Sequence, residues 1–298
     1  VLEPGAQEDD VHALVDDPDS WEAILPTGDS KRLYHSGGSP ARLELSALGH
    51  MLLARGELPL QLAAFLDGAV DCELAEFEAL PWYTGLADTP LPRFTEREAI
   101  ATRAAAHGAW LAQRGAQVGS LHVAPVPVPR FNAHASAAGT KAATLFAATS
   151  RLVEALVASH PDLPMTIHVD RQGGRIHYAE ALCQAFPFVA LTTQDESRER
   201  SVYRLDWPGR PPVQLEVSVK ADDRRAPVAL ASILAKTTRE LCMGVLNGWF
   251  VERAAARGDA EPLRPTAGYG RDAQRFLLDV DRLVLESGAR RDQFVRCR

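Results

Sequence analysis

Two short apolar runs in the second half of the chain restrict its fold more than any other feature. MTIHVD at 165–170 and VQLEVSVKA at 213–221 have the length and β-branched content of strands. The first ends in Asp170, and the second runs straight into Asp222. FVALTTQ at 188–194 and SVYRLDW at 201–207 read as further strands, with PGRPP as the turn before the 213–221 segment. Helical spacing of apolar residues predicts helices over 42–80, 136–159, 228–246 and 271–287, and over YAEALCQAF. An Ala-rich helix is expected over 94–114, with Thr95 as its cap and Glu98 three residues on. GSLHVAPVPVPRF at 119–131 alternates like a strand, and its prolines place it at an edge or rim. No internal repeat is visible. Interleaved strands and helices predict an α/β domain with a mixed sheet flanked by helices.

Composition narrows the class. Of 298 residues, 46% are hydrophobic and 24% charged, which is ordinary for a chain with a sizeable core. No apolar run reaches the ~18 residues of a membrane span, and the first residues show neither a basic nor an apolar leader region. Cys72, Cys183, Cys242 and Cys297 lie far apart without a CxxC spacing. That argues against a zinc site or a disulfide framework, and a cytoplasmic location is expected. The net charge of −7 argues at first against nucleic acid, but nine acids fall within residues 1–30, where there is no Lys or Arg. The segment reads as an acidic solvated stretch, and the rest of the chain is slightly basic.

Asp170 and Asp222 carry the chemistry. In sheets flanked by helices, sites gather where strands end. Two carboxylates meeting there repel one another unless a cation sits between them, and hard oxygens suit Mg²⁺ or Mn²⁺. Two such ions, about 3.5–4 Å apart, can activate water and stabilise a leaving oxygen in phosphodiester cleavage. A lone aspartate at a strand end is more often a turn former, and Asp223 reads as a solvated neighbour. Lys31, Lys220, Lys236 and Arg239 lie near these acids or their motifs. Lys236 and Arg239 share a helix face, and small Ala231, Ser232 and Ala235 let the start of that helix approach the sheet.

The segment KADDRRAPVALASILAKTTREL at 220–241 resembles type 2 ribonucleases H (ribonuclease HII), whose pattern is K-[GA]-D, a short loop and then A-A-S-I-[IL]-A-K-V-T-R-D. Other pieces agree in order. DSKRL at 29–33 is similar to the family's D-S-K-x-L element. VPRFNAHASAAGTKAATLFAATSRLVEAL resembles the stretch where an Asn opens a helix, which points to Asn132. TIHVD resembles the strand ending in the second catalytic Asp, and PTAGYGRDAQRFL the Gly-Tyr-Gly segment, which points to Tyr269. The resemblance covers 29–33 and 119–285.

There are departures. Glu240 stands where the family has Asp, and VDRQGGR replaces the usual D-G after the strand. Arg171, Gln172 and Arg175 are therefore unusual there. Residues 42–118 are longer than in ordinary members and are expected to form a helical insertion within a single domain over 1–298. The family's opening strand, which ends in D-E-A-G-R-G and supplies an Asp, a Glu and a grip on the ribose 2′-hydroxyl, has no match in this sequence. Because the chain begins at Val1, the domain is expected to be N-terminally incomplete; the alternative is a lineage that has lost the strand and with it the nuclease activity.

The resemblance implies a ribonuclease H-like mixed sheet with a C-terminal helix. It implies a monomeric, metal-dependent endoribonuclease that hydrolyses the RNA strand of RNA–DNA hybrids, or acts on ribonucleotide-containing DNA, with no membrane association. Asp170 and Asp222 would be the catalytic metal ligands for Mg²⁺ or Mn²⁺. Ser30, Lys31, Asn132, Lys220, Lys236 and Tyr269 would bind substrate. Two alternatives stay open: a non-catalytic nucleic-acid-binding protein of the same fold, and a related DNA nuclease.

Overall fold

The structure is a computed structural model that describes residues 23–34, 38–258 and 261–297. At its centre is a four-stranded mixed sheet in the order β1-β4-β3-β2. The strands are β1 (Met165–Asp170), β2 (Ala190–Glu196), β3 (Arg200–Asp206) and β4 (Val213–Ser218). β1 and β4 are parallel, with Asp170 opposite Ser218. β3 pairs antiparallel with both β4 and β2.

The helices before the sheet are α1 (Ser30–Leu33), α2 (Ala41–Arg55), α3 (Leu62–Phe65), α4 (Leu74–Glu78), α5 (Arg97–Ala112), α6 (Val128–Ala138) and α7 (Lys141–Ser159). After β1 come α8 (Ala179–Ala185), α9 (Ala226–Arg257), α10 (Gly270–Glu286) and α11 (Arg291–Phe294). Alternation along the strands decides the layers. Ile167, Tyr203, Leu205, Val213, Leu215 and Val217 are buried on one face, together with Val153 and Val157 of α7 and Leu182 of α8. On the other face Glu216 meets Arg225, the residue that precedes α9, at 3.9 Å.

α9 organises the rest. It has 32 residues and so spans ~48 Å. It begins with Pro at its first turn, where the missing N–H costs nothing, and ends at Gly258 with φ 77°. Its first half packs Ile233, Leu234 and Leu241 against Leu43, Leu48 and Met51 of α2. Its second half packs Leu246, Phe250 and Ala254 against Phe276, Val280 and Leu283 of α10, with Trp82 closing the cluster. The helices within 42–118 therefore share a continuous core with α9.

Several expected elements differ. No strand forms over 119–131; the chain is irregular there and then enters α6, with Pro127 as the residue before the helix. Val alternating with Pro mimics a strand pattern, but Pro fixes φ at a value that also suits a helix start. The helix expected over 136–159 is two helices. Gly139 takes φ 71°, and Thr140 caps α7 by accepting the Ala143 N–H at 3.2 Å. Thr95 is not a cap; its hydroxyl donates to Ala41 O at 3.1 Å, and α5 starts at Arg97. The helix expected over 42–80 breaks after Arg55, where Gly56 takes φ 77°.

Helix α7 is long and apolar enough, by length and composition, to cross a membrane. One side packs on the sheet, while Leu145, Leu152 and Leu156 line an open groove of about 1240 Å³ that runs beside β1 to Ala231 and Leu234 of α9.

Candidate active site

The parallel register of β1 and β4 brings the two aspartates to one end of the sheet. β4 leaves the sheet at Ser218, and Lys220 then adopts φ 53° and ψ 47°, a left-handed conformation that side chains with a Cβ rarely take. The 3₁₀ turn Ala221–Asp223 follows at once. It folds back on β1, so that the Ala221 N–H donates to Asp170 Oδ1 at 2.9 Å. Asp222 faces the same region. Its carboxyl is pushed above the usual carboxylate range by burial first and then by Asp170, Asp223 and Asp29, with Lys31 opposing the rise. Backbone strain at Lys220 is the cost of this placement.

Asp29 adds to the rise of the Asp222 carboxyl, although only its neighbours Ser30 and Lys31 were singled out from the sequence. It begins α1, and its Oδ1 accepts the Lys31 N–H at 2.9 Å. Ser30 Oγ lies 3.0 Å from Ser232 Oγ, which ties α1 to α9. Lys31 and Lys220 are exposed.

Lys236 has another task. Its ammonium donates to Ser30 O at 3.1 Å, which also accepts the Tyr34 N–H, and to Tyr34 O at 2.7 Å at the end of α1. Burial lowers its pKa. The network continues along α9. Tyr34 Oη donates to Glu240 Oε2 at 3.3 Å, and Glu240 Oε1 holds Arg239 Nη1 at 2.6 Å. The Arg239 guanidinium lies 4.0 Å from the centre of the Tyr269 ring and also donates to Ala267 O. Tyr269 is 58% exposed, so its ring is open to a ligand. Glu240, where the resemblance expects Asp, thus links α1 to the tyrosine turn.

Asn132 is not brought to this cluster by any contact among the described residues. Its Nδ2 donates to Asp292 O at 2.7 Å and Val295 O at 2.9 Å, and its Oδ1 accepts the Cys297 N–H at 2.7 Å. Its amide pins the C-terminal segment to α6.

Three features were missed from the sequence: Asp29 beside Asp222, the Tyr34–Glu240–Arg239 chain, and a His177–Glu196 pair at the same end of the sheet, with Nδ1 and Oε2 2.7 Å apart. Only Asp29 had a local signal, as a helix-capping residue at the head of DSKRL.

Among the described residues no group of three or more His, Cys, Asp or Glu side chains gathers closely enough to hold a metal ion. Burial first, and then the neighbouring acids, raise the Asp222 carboxyl. Compared with family models, curated proteins and solved structures, the chain matches none of them.

Proposed function

We propose that the protein is a metal-dependent endonuclease of ribonuclease H-like fold that hydrolyses the RNA strand of RNA–DNA hybrids. The observation that carries the reading is that the 3₁₀ turn bearing Asp222 folds back on the end of β1, where the Ala221 N–H meets Asp170, and that Asp170, Asp29 and Lys31 all act on the Asp222 carboxyl. Asp170 and Asp222 would hold Mg²⁺ or Mn²⁺, whose chemistry is to activate water and stabilise a leaving oxygen. Asp170 keeps one carboxylate oxygen for this, because Oδ1 is taken by the Ala221 N–H.

Exposed Lys31 and Lys220 would attract the phosphate backbone. Ser30 and Lys236 fix α1 and so position Lys31, which makes Lys236 a positioning residue in this reading. Tyr269, held by Arg239, offers a face for a base or sugar.

The test is a cleavage panel with Mg²⁺ or Mn²⁺: an RNA–DNA hybrid, a DNA duplex carrying one ribonucleotide, double-stranded RNA and DNA. The reading predicts cuts in the RNA strand of the hybrid, leaving a 3′-hydroxyl, and their loss in Asp222→Asn. Cleavage of DNA alone would favour the DNA nuclease. Equal cleavage by Asp222→Asn would remove these acids from the reaction.

A further inference from the structure

We infer that the loop after Asp170 and the turn joining β2 to β3 form a basic shelf that takes the phosphate backbone of nucleic acid, with His177 and Arg198 as its contacts. The inference rests on the nuclease reading only for the role of the neighbouring acids. Loop 171–178, RQGGRIHY, carries two arginines and a histidine and no acid, while the turn adds Arg198 and Glu199, with Glu196 paired to His177 and Asp195 to Arg200. It leaves β1 directly at Asp170. The row that starts at Asp170 continues through Ser218 of β4 to Arg200 of β3, so the 197–199 turn lies at the same end of the sheet. Two strand spacings put that turn ~10 Å from β1.

The shelf is built rather than loose. Arg171 Nη2 donates to Ser197 O at 3.3 Å and Nη1 to Arg198 O, which clamps loop to turn. Gln172 Nε2 donates to Thr149 Oγ1 at 2.6 Å, and Ser201 Oγ to Ile176 O at 2.6 Å. A relay then fixes the histidine. The Tyr178 N–H donates to Tyr203 Oη at 2.9 Å, Tyr203 Oη donates to Glu196 Oε1, and Glu196 Oε2 holds His177 Nδ1 at 2.7 Å. With Nδ1 engaged and 75% of the side chain exposed, His177 presents Nε2 outward. Arg198 is exposed, and its guanidinium makes no hydrogen bond or ion pair among the described residues. Groups held in place before binding lose less freedom when a phosphate arrives. A pair that merely ties the loop down would contribute nothing to nucleic-acid affinity.

The experiment is fluorescence anisotropy with a labelled RNA–DNA hybrid, without divalent ions, over a range of KCl concentrations. His177→Ala and Arg198→Ala should each weaken binding about 3–10-fold, and together they should lower the slope of log affinity against log salt by about 1–2. Arg282→Ala, a charge removed from exposed α10, should bind as wild type. Thermal melts confirm that each variant is folded. A double variant with the wild-type slope, or an equal loss in Arg282→Ala, overturns the shelf. If wild type cleaves the hybrid while the double variant binds normally, the shelf fails and the nuclease reading stands. If wild type binds through the shelf but cleaves nothing, the nuclease reading fails and the shelf stands. A wild-type protein that binds no duplex refutes both.

Discussion

Lowering the pH from 7 to 5 should cost this protein about 2–4 kcal/mol of folding stability through two imidazoles that do not reach solvent. His50 and His107 are each 2% exposed, and their rings meet edge to face at 4.9 Å. Burial pushes His50 down to about 4 and His107 down to about 3. His50 Nδ1 is held by Ser46 O at 2.7 Å, whereas His107 Nδ1 has no hydrogen-bond partner. The sign follows from which state takes up protons first. Above the unfolded histidine pKa of ~6.5 both states are neutral and nothing is lost. As the pH falls below that value, the unfolded chain is protonated while the folded rings stay neutral, so stability drops until the folded values are reached. At pH 5 each ring accounts for up to ~2 kcal/mol, and the range allows for mutual coupling of the pair.

Urea denaturation followed by circular dichroism at pH 7.5, 6 and 5 measures the loss. His107→Phe isolates its origin. The Phe ring keeps the contact with His50 and the stack on Trp110, seen at 6.1 Å and 15°, and removes the orphan nitrogen. This variant should be ~1–2 kcal/mol more stable at pH 7.5, since an unpaired buried acceptor no longer has to be desolvated. Its loss between pH 7.5 and 5 should be about half that of wild type. An unchanged pH profile in His107→Phe would refute the argument.

Two further outcomes follow from single residues. Asn132→Ala removes three hydrogen bonds to the C-terminal segment and should cost ~2–3 kcal/mol, with earlier proteolytic release of residues after α11 and unchanged hybrid affinity. A marked loss of affinity at full stability would instead return Asn132 to the substrate site. Lys220→Gly relieves the left-handed backbone at φ 53° and should hold stability within ~1 kcal/mol of wild type while weakening hybrid binding. Tighter binding in that variant would exclude Lys220 as a phosphate contact.

The sequence was most legible where local pattern and three-dimensional role coincide. The strands read at 165–170, 201–207 and 213–221 form over 165–170, 200–206 and 213–218, and Asp170 ends β1 as expected, whereas β4 stops at Ser218 and Asp222 lies in the 3₁₀ turn beyond it. α9 was readable over 228–246; it continues to Arg257 through Asn247 and Gly248, two weak helix formers, because Phe250 and Ala254 beyond them are buried in the core. Legibility failed where one residue type serves two patterns. Pro and Val in alternation at 123–129 look like a rim strand yet lead into α6. It failed again where partners lie far apart in sequence. Lys236 touching Ser30 O and Tyr34 meeting Glu240 each span 206 positions, and no local spacing encodes them. Lys236 therefore read as a phosphate contact, and the fold instead turns its ammonium onto α1.

The most direct test of the acid pair is calorimetric titration of the protein with Mn²⁺. If Asp170 and Asp222 form a cation site, wild type gives a saturable binding heat that is lost in Asp222→Asn and in Asp170→Asn but kept in Asp223→Asn. No saturable heat from wild type, or the same heat from all three variants, would contradict a metal-dependent nuclease centred on these two aspartates.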